Sequence, residues 1–169
     1  MLEDTPVEFN RGSVLLSTDR RRLDARAVLA MLRRMHWGGS MELATLERAI
    51  ANSLCVAVYD ADATVAFARA VTDLATYAYL TDVVVTEAHR GRGYGSWMVE
   101  AFLGHPDLQH IRRIALLTRD ARALYERYGF TVGVLSASVY MERRPVGFRN
   151  RDASDPAADR DRAPLDGAP

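Results

Sequence analysis

The chain has 169 residues carrying 22 basic and 22 acidic side chains, so its formal net charge is zero. That length suits one domain with an adequate core, and the balanced charge argues against nucleic acid or an anionic membrane surface as the main partner. No apolar run reaches the roughly 18 residues of a membrane span, and the acidic segment Met1–Gly12 lacks the apolar stretch of a signal peptide, so a cytoplasmic protein is expected.

In chain order, Val14–Ser17 reads as a first strand. Thr18 or Asp19 is placed to cap a helix reaching Met35, with Leu23, Ala27, Val28, Ala30, Met31 and Met35 at helical spacing. His36–Ser40 reads as a loop, and Ser40 as the cap of a second helix carrying Leu43, Leu46, Ala49 and Ile50. Ser53–Tyr59 and Thr64–Val71 form a hairpin around the turn Asp60–Ala63. Cys55, the only cysteine, sits in the first of these strands and reads as a buried thiol; one cysteine forms neither an internal disulfide nor a zinc site. Tyr77–Val85 is the next strand. Alternation puts Tyr77, Tyr79 and Thr81 on one of its faces and Ala78, Leu80 and Asp82 on the other. A helix follows from Gly93 and ends before Pro106. Arg113–Leu117 reads as a strand, Ala121–Tyr128 as a helix, and Phe130–Leu135 with Ser138–Arg143 as closing strands. After about Gly147 the chain is rich in Asp, Arg, Ala and Pro without apolar periodicity, so the expected division is a domain over 1–146 and a flexible tail over 147–169.

The stretch Asp82–Ser96 carries the chemistry. A β-branched run stops at Val85, a short bend follows, and Arg90-Gly91-Arg92-Gly93-Tyr94-Gly95-Ser96 leads into a helix. Glycines admit close backbone approach, and the first turn of a helix offers free N–H groups and a partial positive charge. The combination suits a phosphate or pyrophosphate. A P-loop is excluded, because the chain has no lysine. The dinucleotide fingerprint lacks its third glycine, since Ser96 holds that place. The pattern R-x-x-G-x-G is complete in Arg90, Gly93 and Gly95. A second motif, Ala121-x-x-Leu124-Tyr125-x-x-x-Gly129-Phe130, comes thirty residues later.

These two motifs, in this order and with a strand between them, make the chain resemble the Gcn5-related N-acetyltransferase (GNAT) family over roughly residues 13 to 143. The resemblance implies an α/β (α+β) acyl-CoA N-acyltransferase fold, with a mixed, mostly antiparallel sheet flanked by helices. It also implies acetyl-CoA as cosubstrate, no metal, and transfer of the acetyl group to the amine of a small molecule. Backbone N–H groups of Gly91, Arg92, Gly93, Tyr94, Gly95 and Ser96 are expected on the pyrophosphate, with Arg90 opening the loop and the side chain of Arg92 either near a phosphate or in solvent. Backbone atoms of Val83, Val84 and Val85 are expected along the pantetheine arm, and Val85 N–H as the donor to the acetyl carbonyl.

The same resemblance makes Tyr125 the candidate general acid, since a phenol of pKa about 10 stays protonated at neutral pH and can protonate a leaving thiolate. Asp82, on the strand entering the site, and Asp73, in the turn before it, are candidates to orient or deprotonate the amine; a salt bridge for Asp82 and a turn cap for Asp73 are the structural alternatives. Trp37 and Tyr79 are expected beside the acceptor, with Trp37 alternatively a core residue. Thr118 stands where the family often has asparagine, and Glu87 where it often has proline.

Other functional readings remain open from sequence. One is acetylation of proteins or peptides, which calls for an open groove. Another is a non-catalytic acyl-CoA-binding regulatory module. Monomer and homodimer are both compatible.

Overall fold

The computed structural model describes residues 6–35 and 41–133. They form a six-stranded sheet in sequential order, β1 (Glu8–Arg11), β2 (Val14–Ser17), β3 (Leu54–Asp60), β4 (Ala63–Thr72), β5 (Tyr77–Val85) and β6 (Arg113–Leu116). Neighbours pair antiparallel except β5 and β6, which are parallel. A parallel pair needs a crossover, and α3 (Tyr94–Leu103) supplies it. Helices α1 (Ala25–Arg33), α2 (Leu43–Ala51) and α4 (Arg122–Glu126) complete the described elements. The mixed, mostly antiparallel sheet with flanking helices is the expected fold class.

Burial on both faces explains the composition of the central strands. Along β3, Val56 and Val58 pack in a cluster with α3, while Cys55, Ala57 and Tyr59 pack with α1 and α2. A strand covered on both sides reads as an unbroken apolar run rather than an alternation. On β4 the α3 side is small, with Ala66, Ala68 and Ala70, and α3 answers with Trp97, Met98 and Phe102. Phe102 and Phe67 are essentially fully buried, each stabilising the fold by about 1.5–3 kcal/mol relative to exposure. Cys55 is 1 % exposed, and burial pushes its thiol up to about 12, so it is a core thiol.

Several elements differ from the sequence expectation. β1 was unforeseen: all four of its residues are exposed, so it has no apolar signal, and it forms a hairpin with β2 across Gly12 at φ +62°. The first helix begins later than expected. Asp19 caps a 3-10 turn over Arg20–Arg22, and Asp24 caps α1 by accepting from the N–H groups of Arg26 and Ala27. α2 starts after Glu42, which makes no side-chain cap bond; Ser40, like His36 and Trp37, lies outside the described residues. Residues 130–133 form no strand, and the rest of the expected closing strands and the tail lie outside the described residues.

His105 follows α3 at 4 % exposure, its Nδ1 accepting the Asp107 N–H at 3.3 Å to cap the 3-10 turn Pro106–Leu108. Burial lowers its pKa below the ordinary 6.5, against the opposing Asp107 carboxylate. The unfolded chain therefore takes up the proton first as pH falls, so this residue's contribution to stability is complete above pH 6.5 and is lost below it. We expect Tm to decline from pH 7 to pH 5 and His105→Asn, which keeps a capping oxygen, to flatten that decline. Thermal melts of both proteins across this range check it; parallel curves would contradict it.

Candidate active site

The parallel pair β5/β6 ends early. Its registered partners run from Tyr77 with Arg113 to Leu80 with Leu116, after which the strands separate. At the same level β5 bulges. Phe67 faces Val84 and Arg69 faces Thr81, so the single residue Ala68 stands opposite both Asp82 and Val83. Asp82 adopts φ +54°, a left-handed conformation that aspartate tolerates better than most residues.

The extra residue reverses the faces of the strand. Ala78 and Leu80 pack in the α3 cluster, whereas Val84 packs with α1 and α2. Simple alternation, which placed Asp82 on the face of Leu80, therefore fails at Asp82. Its carboxylate instead meets Arg69, whose strand neighbour Phe67 and cross-strand partner Cys55 belong to the α1/α2 cluster. Arg69 Nε donates to Asp82 Oδ2 at 2.5 Å, and another guanidinium nitrogen donates to Ser53 Oγ at 3.2 Å. Thr81 Oγ1 donates to Asp82 Oδ1 at 3.3 Å. Both charged side chains are largely buried; removing one partner of such a pair costs about 3–5 kcal/mol, because the other charge is left stranded.

Where β5 and β6 part, a cleft of about 620 Å³ opens, lined by Tyr79, Asp82, Val83, Thr118 and Tyr125 among others. Tyr125 is 7 % exposed, and burial, helped by Asp120, raises its phenol above the ordinary 10.0. Phe130 packs edge-on against its ring at 5.8 Å between centroids. Thr118 Oγ1 accepts the Ala121 N–H at 3.0 Å, tightening the entry to α4 while its own O–H remains a donor. Val84 and Val85 line a neighbouring cavity of about 280 Å³ with Met31, Arg34 and Arg90. Val85 is thus not among the residues that line the cleft Tyr125 shares. The bulge, which alternation does not reveal, brings Val83 there instead.

The glycine loop lies at the start of α3. Gly91 and Gly93 have φ of +75° and +81°, and a Cβ built on either meets nothing within 4 Å, so both face open space. Gly93 caps α3 without a side-chain bond, and the first helical bond runs from Trp97 N–H to Gly93 C=O at 3.0 Å. The amides of Tyr94, Gly95 and Ser96 thus have no acceptor within the helix. An outward loop with free amides fits a pyrophosphate. The Tyr94 side chain turns inward, 8 % exposed and stacked on His89, so only its backbone faces a ligand.

α4 connects the two regions. A Cβ on Gly95 would lie 3.6 Å from Leu124 Cδ2, Arg127 donates to Ser96 Oγ at 3.1 Å, and Tyr128 donates to Glu100 at 2.8 Å. Asp73 is not among the residues that line the cleft. Its carboxylate accepts from the N–H groups of Ala75, Thr76 and Tyr77 and from Thr76 Oγ1, which holds its pKa well below the usual carboxylate range. Trp37 lies outside the described residues. Sequence reasoning missed Met35, Leu117 and Arg119 on the cleft wall. Leu117 and Arg119 follow the carboxyl end of a parallel strand, where ligands of open sheets gather, and that rule could have found them.

Residues 51–132 match the family model of the acetyltransferase (GNAT) domain. A Gibberella zeae protein described as a candidate acetyltransferase is 32% identical over 144 residues, covering 71% of this chain and 80% of that protein. The crystal structure of a GNAT-family candidate acetyltransferase from Xanthomonas campestris pv. campestris superposes with a TM-score of 0.74 at 43% identity, covering 80% of this chain and 96% of that one. A Clostridium acetobutylicum acetyltransferase candidate, determined with acetyl-CoA, shares the fold at a TM-score of 0.54 and 16% identity, over 71% of this chain and 92% of that one. A strand that opens onto a glycine loop, beside a tyrosine-bearing helix, places the molecule among the acetyltransferases. The chain belongs to the GNAT family, whose acetyltransferases use acetyl-CoA. No helix among the described residues is long and apolar enough to cross a membrane.

A side chain at Gly93 tests the loop. Gly93→Val puts a β-branched residue at φ +81°, a strain of about 1–3 kcal/mol, and intrudes on the free amides. Titration calorimetry with acetyl-CoA should show Kd raised about tenfold or more. Unchanged affinity in a folded variant would remove the loop from the cofactor site.

Proposed function

We propose that the protein is an acetyl-CoA-dependent N-acetyltransferase acting on the amine of a small molecule. The observation that carries this reading is the placement of α4. It touches the first turn of α3 through Leu124 and Arg127 and contributes Tyr125 to the β5/β6 cleft. One helix thus spans from the expected pyrophosphate end of the cofactor to its thiol end.

Bound acetyl-CoA supplies an activated acyl carbon, and a C–N bond to the acceptor forms as the C–S bond breaks. Amides of Gly91–Ser96 hold the pyrophosphate, with the dipole of α3 adding to the attraction and Arg90 and Arg92 flanking the loop. Backbone groups of Val83, Val84 and Val85 guide the pantetheine arm, and the Thr118 hydroxyl donates to it. The bulged amide at Val83 holds the carbonyl oxygen as negative charge develops there. Tyr125 gives its proton to the departing sulfur, and its phenolate regains one from the proton released by the amine through water. A phenol raised by burial suits this task, because it remains protonated up to and beyond the ordinary phenol value of 10.0. Tyr79 on the cleft wall and Trp37 border the acceptor. On this reading the enzyme works in the cytoplasm, as monomer or homodimer, without nucleic acid, membrane or metal.

A thiol-release assay over a panel of small amines tests the reading. With the best acceptor, Tyr125→Phe should lower kcat by about 10²-fold or more and leave the Kd for acetyl-CoA nearly unchanged. The wild-type rate should hold on the alkaline side until pH passes the ordinary phenol value of 10.0. Binding of acetyl-CoA without turnover of any amine would instead support a regulatory acyl-CoA-binding module, and turnover of peptides alone would support a protein acetyltransferase.

A further inference from the structure

Resting on that reading, we infer that Arg69 is a positioning residue for acyl transfer. With Asp82 and Ser53 it clamps the β5 bulge and so sets the backbone amide that meets the acetyl carbonyl. On this assignment Asp82 serves the same clamp rather than acting as a base.

The geometry supports this in three ways. The register shift lies at these residues, since Arg69 faces Thr81 while Phe67 already faces Val84. Asp82 takes a left-handed conformation in the middle of a strand, and such a conformation persists only where surrounding contacts over-determine it. Those contacts are the Arg69 and Thr81 bonds to its carboxylate. Arg69 is itself held by Ser53, which is 1 % exposed. The clamp is thus anchored outside the cleft wall, at the entry to β3.

The clamp also acts on the neighbouring amides. Along a strand, successive amides point to opposite edges. An extra residue changes which of them face β4 and which face the gap beyond Leu116. Without the clamp the strand can relax toward the regular register, which returns Asp82 to the face of Leu80 and turns the Val83 amide with it. Such a loss would leave the outward glycine loop untouched, because Gly91 and Gly93 lie beyond the next turn, Glu87–His89. Cofactor affinity and carbonyl polarisation are therefore separable.

The test uses acetyl-CoA labelled with carbon-13 at the thioester carbonyl, read by isotope-edited infrared spectroscopy, so that no acceptor is needed. Bound to wild type, the carbonyl should stretch at lower frequency than in free acetyl-CoA, as hydrogen bonding weakens the C=O bond. Arg69→Met leaves a buried carboxylate unpaired and can fail to fold. The double variant Arg69→Met/Asp82→Asn removes both charges and keeps a residue suited to the left-handed position. In that variant Kd should stay within about threefold of wild type while the bound carbonyl returns toward its free frequency; Arg69→Lys should fall between. With the best amine of the panel, Asp82→Asn should keep the shape of the wild-type pH–rate profile. A bound carbonyl that keeps the wild-type frequency in the folded double variant would overturn the assignment, as would loss of acetyl-CoA binding in that variant or disappearance of the acidic limb in Asp82→Asn. If wild type itself binds no acetyl-CoA, the functional reading falls and the assignment falls with it.

Discussion

The site depends on a gap in the sheet. β5 and β6 share a ladder only from Tyr77/Arg113 to Leu80/Leu116, and beyond it the facing backbone groups have no strand to pair with. Unpaired backbone groups are tolerated only where water or a ligand satisfies them, so an open ladder inside a mixed sheet is a place for an extended ligand. The separation has local causes at both edges. β5 bends at a bulge held by a buried ion pair. β6 ends as Thr118 turns the chain into α4 by accepting the Ala121 N–H. A regular β5 and a longer β6 would close the cleft and remove the chemistry without altering the core.

The remainder of the core keeps that gap in register with the glycine loop. α3 lies close to the sheet because the facing side chains of β4 are alanines. Its N-terminus therefore emerges directly where β5 ends, one short turn after Val85. On the outer side, Glu100 of α3 accepts from Arg11 of the β1 hairpin and from Tyr128 beyond α4, while the Arg11 guanidinium sits 4.3 Å above the Trp97 ring. These are exposed contacts, each worth little alone. Their value is geometric, since they tie the loop helix to the segment that carries Tyr125.

The fold and the two family motifs were legible in the sequence because their signals are local. A β-branched run followed by glycines at fixed spacing, and a tyrosine four residues after an alanine, need only a few neighbouring positions to be read. β5 was placed with its observed bounds, since both of its ends carry turn residues. The features that were not legible are those that need a partner distant in sequence. β1 is a polar edge strand defined by its hairpin with β2. At the bulge, the Asp82 carboxylate accepts from Arg69, thirteen residues away. Alternation is a valid rule on either side of that point and fails across it. The carboxylate of Asp73 accepts the amides of its neighbours at 75, 76 and 77, the turn-capping role that is the structural alternative for this residue.

The absence of lysine from the chain reads as a compositional bias, and on the surface arginine and lysine exchange with little consequence. Position 69 is different. A guanidinium is a rigid fork with several donors, stays charged under all relevant conditions, and is less costly to dehydrate than an ammonium. Arg69 uses that fork to reach a carboxylate on β5 and a hydroxyl at the start of β3 together. A lysine has one nitrogen on a flexible stem and cannot hold both in a fixed plane. At Arg69, a largely buried cation, the bias toward arginine therefore has a structural use. The same carboxylate that made Asp82 resemble a catalytic base is, in the fold, an acceptor already held by its partner.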